Sequence, residues 1–346
     1  MAGARNLGSV QLWREFTDID TETGVGSHGA SVAIGVFDGV HKGHQKLLAH
    51  AVDDAKRLGT MAVMVTFDPH PVEVIMPGKS PATLTPLARR AELAAEYGID
   101  AVFAIPFDKE IAGWTPAEFF DRLLVERLHA RSVVVGTNFT FGHKAAGTAE
   151  TLKSLCEARG IECRIEDLVS DGEGTVSSTA VRHALSEGDA QRAGEMLGRP
   201  HRVTGEVIHG EGRGGKELGY PTANLSADMS ECVPVDGVYA GWFTVLDGGE
   251  LDGSMEAGTR YPAAISVGTN PTFAGVDRTV EAFVLDETSD LYGRHAAVDF
   301  VGHVRGMEKF NGVDELLEAM DRDVQIVRSM LAGCDEKTGI SREAQE

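Results

Sequence analysis

Cysteine is scarce and scattered. The chain of 346 residues holds four, Cys156, Cys163, Cys232 and Cys334, with no C-x-x-C pair among them, so neither a disulfide framework nor a zinc ribbon is expected and a reducing cytoplasm fits. Positive charge is also short: 32 Lys plus Arg stand against 53 Asp plus Glu, a formal net charge of −21, and a field of that sign repels polyanions. No strand-like stretch interleaves basic with aromatic residues as a single-stranded nucleic-acid platform requires. A general nucleic-acid binder is thereby disfavoured, while a small nucleotide held by a few local cations, dipoles and Mg²⁺ stays open. No apolar run is long enough to span a bilayer, and Met1 to Phe16 lacks the basic start and continuous apolar core of a secretory signal. No internal repeat or low-complexity tract is evident.

What remains is an ordinary globular composition, 42% hydrophobic and 25% charged, long enough for two domains of roughly 100–200 residues each. The first half alternates strand-like and helix-like runs. Ser31–Val36, Met61–Phe67, Ala101–Ile105 and Ser132–Val135 read as buried strands, and Gln45–Leu58, Leu87–Tyr97 and Ala149–Arg159 carry apolar residues at helical spacing. Thr115-Pro116-Ala117-Glu118 has the capping-box pattern with proline at the first helical position. This alternation predicts a doubly wound, Rossmann-like α/β domain, whose ligands bind beyond the carboxyl ends of its strands. Glu187–Arg202 is polar and reads as a short helix and a linker. Beyond it, short apolar or alternating runs separated by turn residues predict an antiparallel barrel or sandwich. A final apolar stripe from Val313 to Leu331 predicts one long helix, and 333–346 reads as a polar, flexible tail.

The polar motifs fall where such folds bind ligands. Gly35-Val36-Phe37-Asp38-Gly39-Val40-His41-Lys42-Gly43-His44 joins a strand to a helix. A turn of this kind aims backbone N–H groups and the positive end of a helix dipole at one spot, which suits a phosphate. His41 and His44 could donate to phosphoryl oxygens; metal ligation is the weaker rival role, with no cysteine or third histidine nearby in a zinc-like spacing, and a bland alternative is that they only cap the helix. Asp68–Pro71 and Gly136–Gly142, with Asn138, also follow strands and would share the same rim. Ser178-Thr179-Ala180-Val181-Arg182 resembles a capped helix start with an arginine one turn in, able to grip phosphates. In the second half, Gly210–Asn224 is glycine-rich, with Arg213 and Lys216 as local cations near Gly212 and Gly214, yet lacks the G-K-[ST] ending of a P-loop. Strand alternation puts Thr222 and Asn224 on one face, where their oxygens could hold Mg²⁺ beside a nucleotide phosphate. Glu281 is the candidate carboxylate for orienting or deprotonating an acceptor hydroxyl, with a solvated edge residue as its bland alternative. Arg305, in His303–Phe310, is a weaker candidate for a phosphate-meeting lid.

Together these residues resemble the prokaryotic bifunctional riboflavin kinase/FAD synthetase family, from about Ser31 to Leu331. The first turn looks like the H-x-G-H motif of nucleotidyltransferases, Asn138 lies in a segment similar to the family's nucleotide-contacting one, and Ser178–Arg182 matches its S-T-x-x-R motif. Pro221-Thr222-Ala223-Asn224 is similar to the flavokinase P-T-A-N motif. The resemblance implies an FMN adenylyltransferase domain over 1–186, a linker over 187–202 and a riboflavin kinase barrel over 203–332. It implies that Glu281 activates the terminal ribityl hydroxyl of riboflavin toward ATP, with Mg²⁺ near Thr222 and Asn224, giving FMN and ADP. It further implies that His41, His44 and Arg182 stabilise phosphoryl charge while FMN attacks a second ATP, giving FAD and pyrophosphate. Nucleotide contacts are expected from Gly35, Phe37, Asp38, Gly43, Asn138, Ser178, Thr179, Gly212, Arg213, Gly214, Lys216, Thr222 and Asn224. Arg305 is expected at the flavin or in a lid. The expected partners are riboflavin, FMN, FAD and ATP/ADP, with neither nucleic acid nor membrane, in the cytoplasm; a homo-oligomer stays open. The alternatives are another H-x-G-H transferase with an accessory barrel, and a barrel serving as an oligonucleotide-binding module.

Overall fold

The computed structural model describes residues 5–7, 10–19, 24–209, 221–227, 231–272 and 275–334. They form two compact units, one from the described residues within 1–81 and 85–176, the other from those within 82–84 and 177–346.

The first unit is a seven-stranded sheet. Its strands are β1 (Arg5–Leu7), β2 (Val10–Trp13), β3 (Ala30–Ile34), β4 (Met61–Asp68), β5 (Ala101–Pro106), β6 (Ala130–Gly136) and, after a small hairpin of β7 (Thr140–Phe141) and β8 (Gly147–Thr148), β9 (Glu162–Glu166). Spatial order is β1-β2-β5-β4-β3-β6-β9, parallel except for the β1–β2 pair at one edge. Helices α1 (Gly24–His28), α2 (Lys42–Leu58), α3 (Pro71–Ile75), α4 (Leu87–Glu96), α5 (Pro116–Phe119) and α6 (Ala149–Ala158) connect the strands. Side chains alternate across a strand, so Val32 and Ile34 pack with Leu123, Leu124 and Leu152 on one face, whereas Ala33 packs with Leu47, Leu48 and Leu93 on the other. The direction of winding reverses between β3 and β6, which are paired neighbours. The crevice beyond their carboxyl ends is the place where doubly wound sheets bind ligands, and both the Gly35–His44 and Gly136–Gly142 turns leave from it. Beyond α5 the chain runs as a π-helix from Phe120 to Val125 rather than as a continuation of the regular α-helix that the capping box at Thr115–Glu118 starts.

The second unit carries α7 (Ser178–Ser186), α8 (Ala190–Leu197), β10 (His201–Ile208), β11 (Ala223–Ala227), β12 (Gly237–Val245), β13 (Arg260–Thr272), β14 (Gly275–Val284), β15 (His295–Arg305) and α9 (Val313–Ala332). The six strands close into a barrel in the order β10-β11-β14-β13-β12-β15, all neighbours antiparallel. Val203, Leu225, Tyr239, Phe243, Ile265, Val280 and Phe300 fill it. Helix α9 lays Val327 and Leu331 on the outside of the barrel, against Ala240 and Leu285.

Three features depart from the sequence reading. The stretch 187–202, read as a short helix and a polar linker, does hold a helix, α8, but as part of the core: its Ala190, Ala193, Met196 and Leu197 are buried, with Ala190 packed into the barrel cluster. Helix α7 groups with the barrel unit rather than with the sheet. Cys334, at the start of the expected tail, is buried beside Leu331; residues 335–346 lie outside the described ones.

Candidate active sites

In the sheet unit the site is built on the turn between β3 and α2. His41 is the N-cap of α2; its Nδ1 accepts the His44 backbone N–H at 3.4 Å. That bond leaves Nε2 as the protonated nitrogen of the neutral ring. His41 therefore does cap its helix, as the bland alternative held, and the cap fixes which nitrogen can donate. The two imidazoles stack with centroids 3.6 Å apart, and Phe37 abuts His44 at 5.0 Å. Gly43 makes the stack feasible: a Cβ there would lie 3.2 Å from the His41 ring. The first turn of α2 adds its N–H groups and dipole.

The turn itself bends sharply. Phe37 has φ 53°, Val40 has φ 41° and Gly39 has φ 87°. Phe37 and Val40 are non-glycine residues in left-handed conformation, and both are fully buried. Asp38, expected to contact the nucleotide, points inward: it is 3% exposed, and its Oδ1 accepts the Thr85 N–H at 3.0 Å and lies 3.9 Å from the Arg90 guanidinium. Arg90 escaped the sequence reading, because an arginine on an amphipathic helix reads as a solvated one.

Asn138 is exposed beyond β6, its Oδ1 close enough to Gly136 that a Cβ there would lie at 3.1 Å. His70 caps α3, its Nδ1 accepting the Val72 N–H at 3.1 Å. The cap of α7 is Ser177, whose hydroxyl accepts from Ala180 at 3.2 Å; Ser178 and Thr179 occupy its first turn. Arg182, one turn in, donates from Nε to the Ala82 carbonyl at 2.6 Å. These α7 residues belong to the second unit by packing.

On the barrel, β11 pairs with β14 so that Asn224 stands opposite Glu281, and on its other side Glu281 stands opposite Ser266 of β13. Ala223, Leu225, Val280 and Ala282 point into the barrel, so the alternate residues Asn224 and Glu281 share the outer face. The Thr222 hydroxyl donates to Glu281 Oε2 at 3.4 Å, and the Asn224 amide lies 3.5 Å from the Thr222 carbonyl. Glu281 thus sits inside a strand between two neighbours, unlike a solvated edge residue. The hydroxyl, amide and carboxylate oxygens form a donor set that suits a hard cation such as Mg²⁺, although no group of three or more His, Cys, Asp or Glu placed to hold a metal ion is present among the described residues. Gly212, Arg213, Gly214 and Lys216 lie outside the described residues. Arg305, expected at the flavin or in a lid, is paired with α9: its Nε bonds both carboxylate oxygens of the buried Asp323, at 2.9 and 3.1 Å, with a third bond of 2.8 Å from a terminal nitrogen. It also stacks 5.4 Å above Phe310.

A parallel α/β sheet with a phosphate-suited turn, carried on one chain with a closed barrel bearing a carboxylate among oxygen donors, defines the class of two-domain phosphoryl- and nucleotidyl-transferring enzymes. A model of FAD synthetase matches residues 25–180, and one of riboflavin kinase matches residues 197–331. The chain belongs to the bifunctional riboflavin kinase/FMN adenylyltransferase family, with the FAD synthetase domain first and the riboflavin kinase domain second. The family member of Escherichia coli strain K12 is 34% identical over 295 residues, 85% of this chain and 90% of its own length. That of Pseudomonas fluorescens is 35% identical over 305 residues, 88% and 94% of the two chains. A crystal structure from Streptococcus pneumoniae, described as a macrolide-efflux protein, is similar with a TM-score of 0.80 at 31% identity, covering 92% of this chain and 99% of that one. The riboflavin kinase match removes the alternative of an accessory barrel. No helix among the described residues is long and apolar enough to cross a membrane.

Proposed function

We propose that the barrel unit phosphorylates riboflavin and that the H-x-G-H turn serves the adenylylation of the product. The observation that carries the reading is the placement of Glu281, opposite Asn224 in register and 3.4 Å from the Thr222 hydroxyl. In the first reaction Glu281 takes the proton of the terminal ribityl hydroxyl as its oxygen attacks the γ-phosphorus of ATP; the bond to the β–γ bridging oxygen breaks, and FMN and ADP form. Mg²⁺, bound with ATP near Thr222 and Asn224, would offset charge on the phosphates. In the second, a phosphate oxygen of FMN attacks the α-phosphorus of another ATP, and pyrophosphate leaves. His41 and His44 donate to the phosphoryl oxygens, where fixed donors aimed at developing charge lower the barrier most. The assignment of Arg182, Ser178, Thr179 and Asn138 to this second reaction, and of Gly212, Arg213, Gly214 and Lys216 to the first, rests on the motif resemblance. The domain limits proposed from sequence, 1–186 and 203–332, follow the same resemblance. Partners are riboflavin, FMN, FAD and ATP/ADP; a cytoplasmic location without nucleic-acid or membrane partners accords with the scattered cysteines and the charge of −21.

Incubation with riboflavin, ATP and Mg²⁺, followed by flavin chromatography, tests the whole. FMN and then FAD are expected; folded protein yielding neither refutes the proposal. Glu281→Ala should abolish FMN formation and spare FMN-to-FAD conversion, and His44→Ala should do the reverse.

A further inference from the structure

Beneath the histidine turn lies a buried cation that the chemistry above does not use. Arg90, on the first turn of α4, is 7% exposed. One terminal nitrogen donates to the Val36 carbonyl at 3.0 Å and to the Thr66 hydroxyl at 2.9 Å, and the other donates to the Thr85 carbonyl at 3.2 Å. Thr66 in turn donates to the same Val36 carbonyl at 2.7 Å. Asp38 Oδ1 lies 3.9 Å from the guanidinium and is bonded by the Thr85 N–H. Three segments of the sheet unit therefore meet at one side chain: the turn, the last part of β4 and the entry to α4.

The cluster lies at the start of a strained stretch of chain. Just past Val36, Phe37 and Val40 hold left-handed backbones, a strained conformation for such residues, which persists only where surroundings over-determine it. The Arg90 cluster grips the chain on both sides of Phe37, at the Val36 carbonyl and at the Asp38 carboxylate. The chain then passes from Val40 directly into His41, whose cap starts α2. Burial lowers the Arg90 pKa, and the charges of Asp38 and Asp68 pull it back up; an arginine in this setting stays protonated. Only a planar fork with several donors can serve these acceptors at once; a lysine offers a point charge.

We propose that Arg90 is a positioning residue for adenylyl transfer: through Val36 and Asp38 it holds the strained turn in the shape that sets the Nε2 of His41 and the ring of His44 against the phosphates. This rests on the adenylyltransferase reading of the turn. A loosened turn misplaces donors that act on transition-state charge, so the loss should fall on kcat rather than on binding of ATP.

The test uses the full chain with Arg90→Lys and Arg90→Met. For Arg90→Lys, FMN-to-FAD kcat should fall at least tenfold, with the KM for ATP within threefold and riboflavin phosphorylation within twofold of the parent. Amide hydrogen exchange, read by mass spectrometry, should accelerate in the peptide covering 35–45 and stay unchanged in the peptides of β5 and β6. Arg90→Met should show the same pattern more strongly; if it fails to fold, Arg90→Lys alone decides. A folded Arg90→Lys with parental FAD formation overturns the proposal, as does lost activity with unchanged exchange over 35–45. A parent protein that makes no FAD refutes the reading of the turn instead, and the exchange measurement still reports whether Arg90 holds it.

Discussion

At the scale of single residues, the histidine pair depends on an atom that is missing. Gly43 lies in the first turn of α2, where alanine would ordinarily favour the helix, by up to about 1 kcal/mol in an interior and less at an end. A Cβ there would press on the His41 ring at 3.2 Å, so the ring must move by a few tenths of an ångström and the stack with His44 must open. Gly43→Ala is therefore expected to leave the melting temperature equal or slightly raised while slowing FAD formation severalfold; a calorimetric scan and the flavin assay on one sample check both halves. Parental FAD formation in that variant would show that the stack is not needed. The histidines, Thr222, Asn224 and Glu281 were legible in the sequence because their types and spacing carry chemistry. The inward turn of Asp38 and the burial of Arg90 were not, since an acidic residue in a glycine-rich loop and a cation on a helix both read as solvated until the residues that cover them are known. The pairing of Arg305 with Asp323 is hidden on the same ground, because Asp323 sits 18 positions on, within an apolar-striped helix.

At the scale of elements, periodicity gave the regular parts of the fold and missed those decided by neighbours. β3, β4, β5 and β6 are apolar runs covered on both faces, and each was readable from its own residues. β13 and β14 run to Arg260–Thr272 and Gly275–Val284, with their backbone pairing continuing from Val267↔Val280 to Thr272↔Gly275, a length that apolar periodicity does not signal. That extension puts Glu281 in mid-strand. Within the barrel, Tyr239 is fully buried and donates its hydroxyl to the Val235 carbonyl at 2.6 Å. Desolvation pushes its pKa up to about 12 from 10, so the folded barrel holds the phenolic proton where the unfolded chain has lost it. A group with a raised folded pKa contributes fully below its unfolded value and loses that contribution as pH rises toward the folded one. Barrel stability should thus fall between about pH 10 and 12, by at most about 3 kcal/mol from this group. Tyr239→Phe, less stable at neutral pH by the lost hydrogen bond, about 1 kcal/mol, should show a correspondingly flatter decline. Denaturant melts followed across that range check it, and equal slopes for both proteins would remove Tyr239 as the cause.

At the scale of the whole molecule, the sequence divides by pattern and the structure divides by packing, and the two need not agree. The apolar stripe of α7, with Val181 and Leu185 buried, announces a helix with one covered face but not which core covers it; the Leu185 carbonyl accepts the Val235 N–H at 3.0 Å, and the helix goes with the barrel. The sheet and the barrel nonetheless own separate cores, Val32, Phe103 and Leu152 in one and Phe243, Ile265 and Phe300 in the other. Separate cores imply that disabling one reaction by a side-chain change leaves the other unit folded. Glu281→Ala protein should then accept FMN made by His44→Ala protein. A mixture of the two variants, given riboflavin, ATP and Mg²⁺, is expected to form FAD although neither variant does so alone. The rate should rise with the concentration of the Glu281→Ala partner, because FMN must cross solution between molecules. If the mixture accumulates FMN and no FAD while Glu281→Ala alone converts added FMN, the product of the barrel is not released to solvent in usable form. If Glu281→Ala converts no added FMN either, the two activities are not separable and the assignment of one reaction to each unit fails.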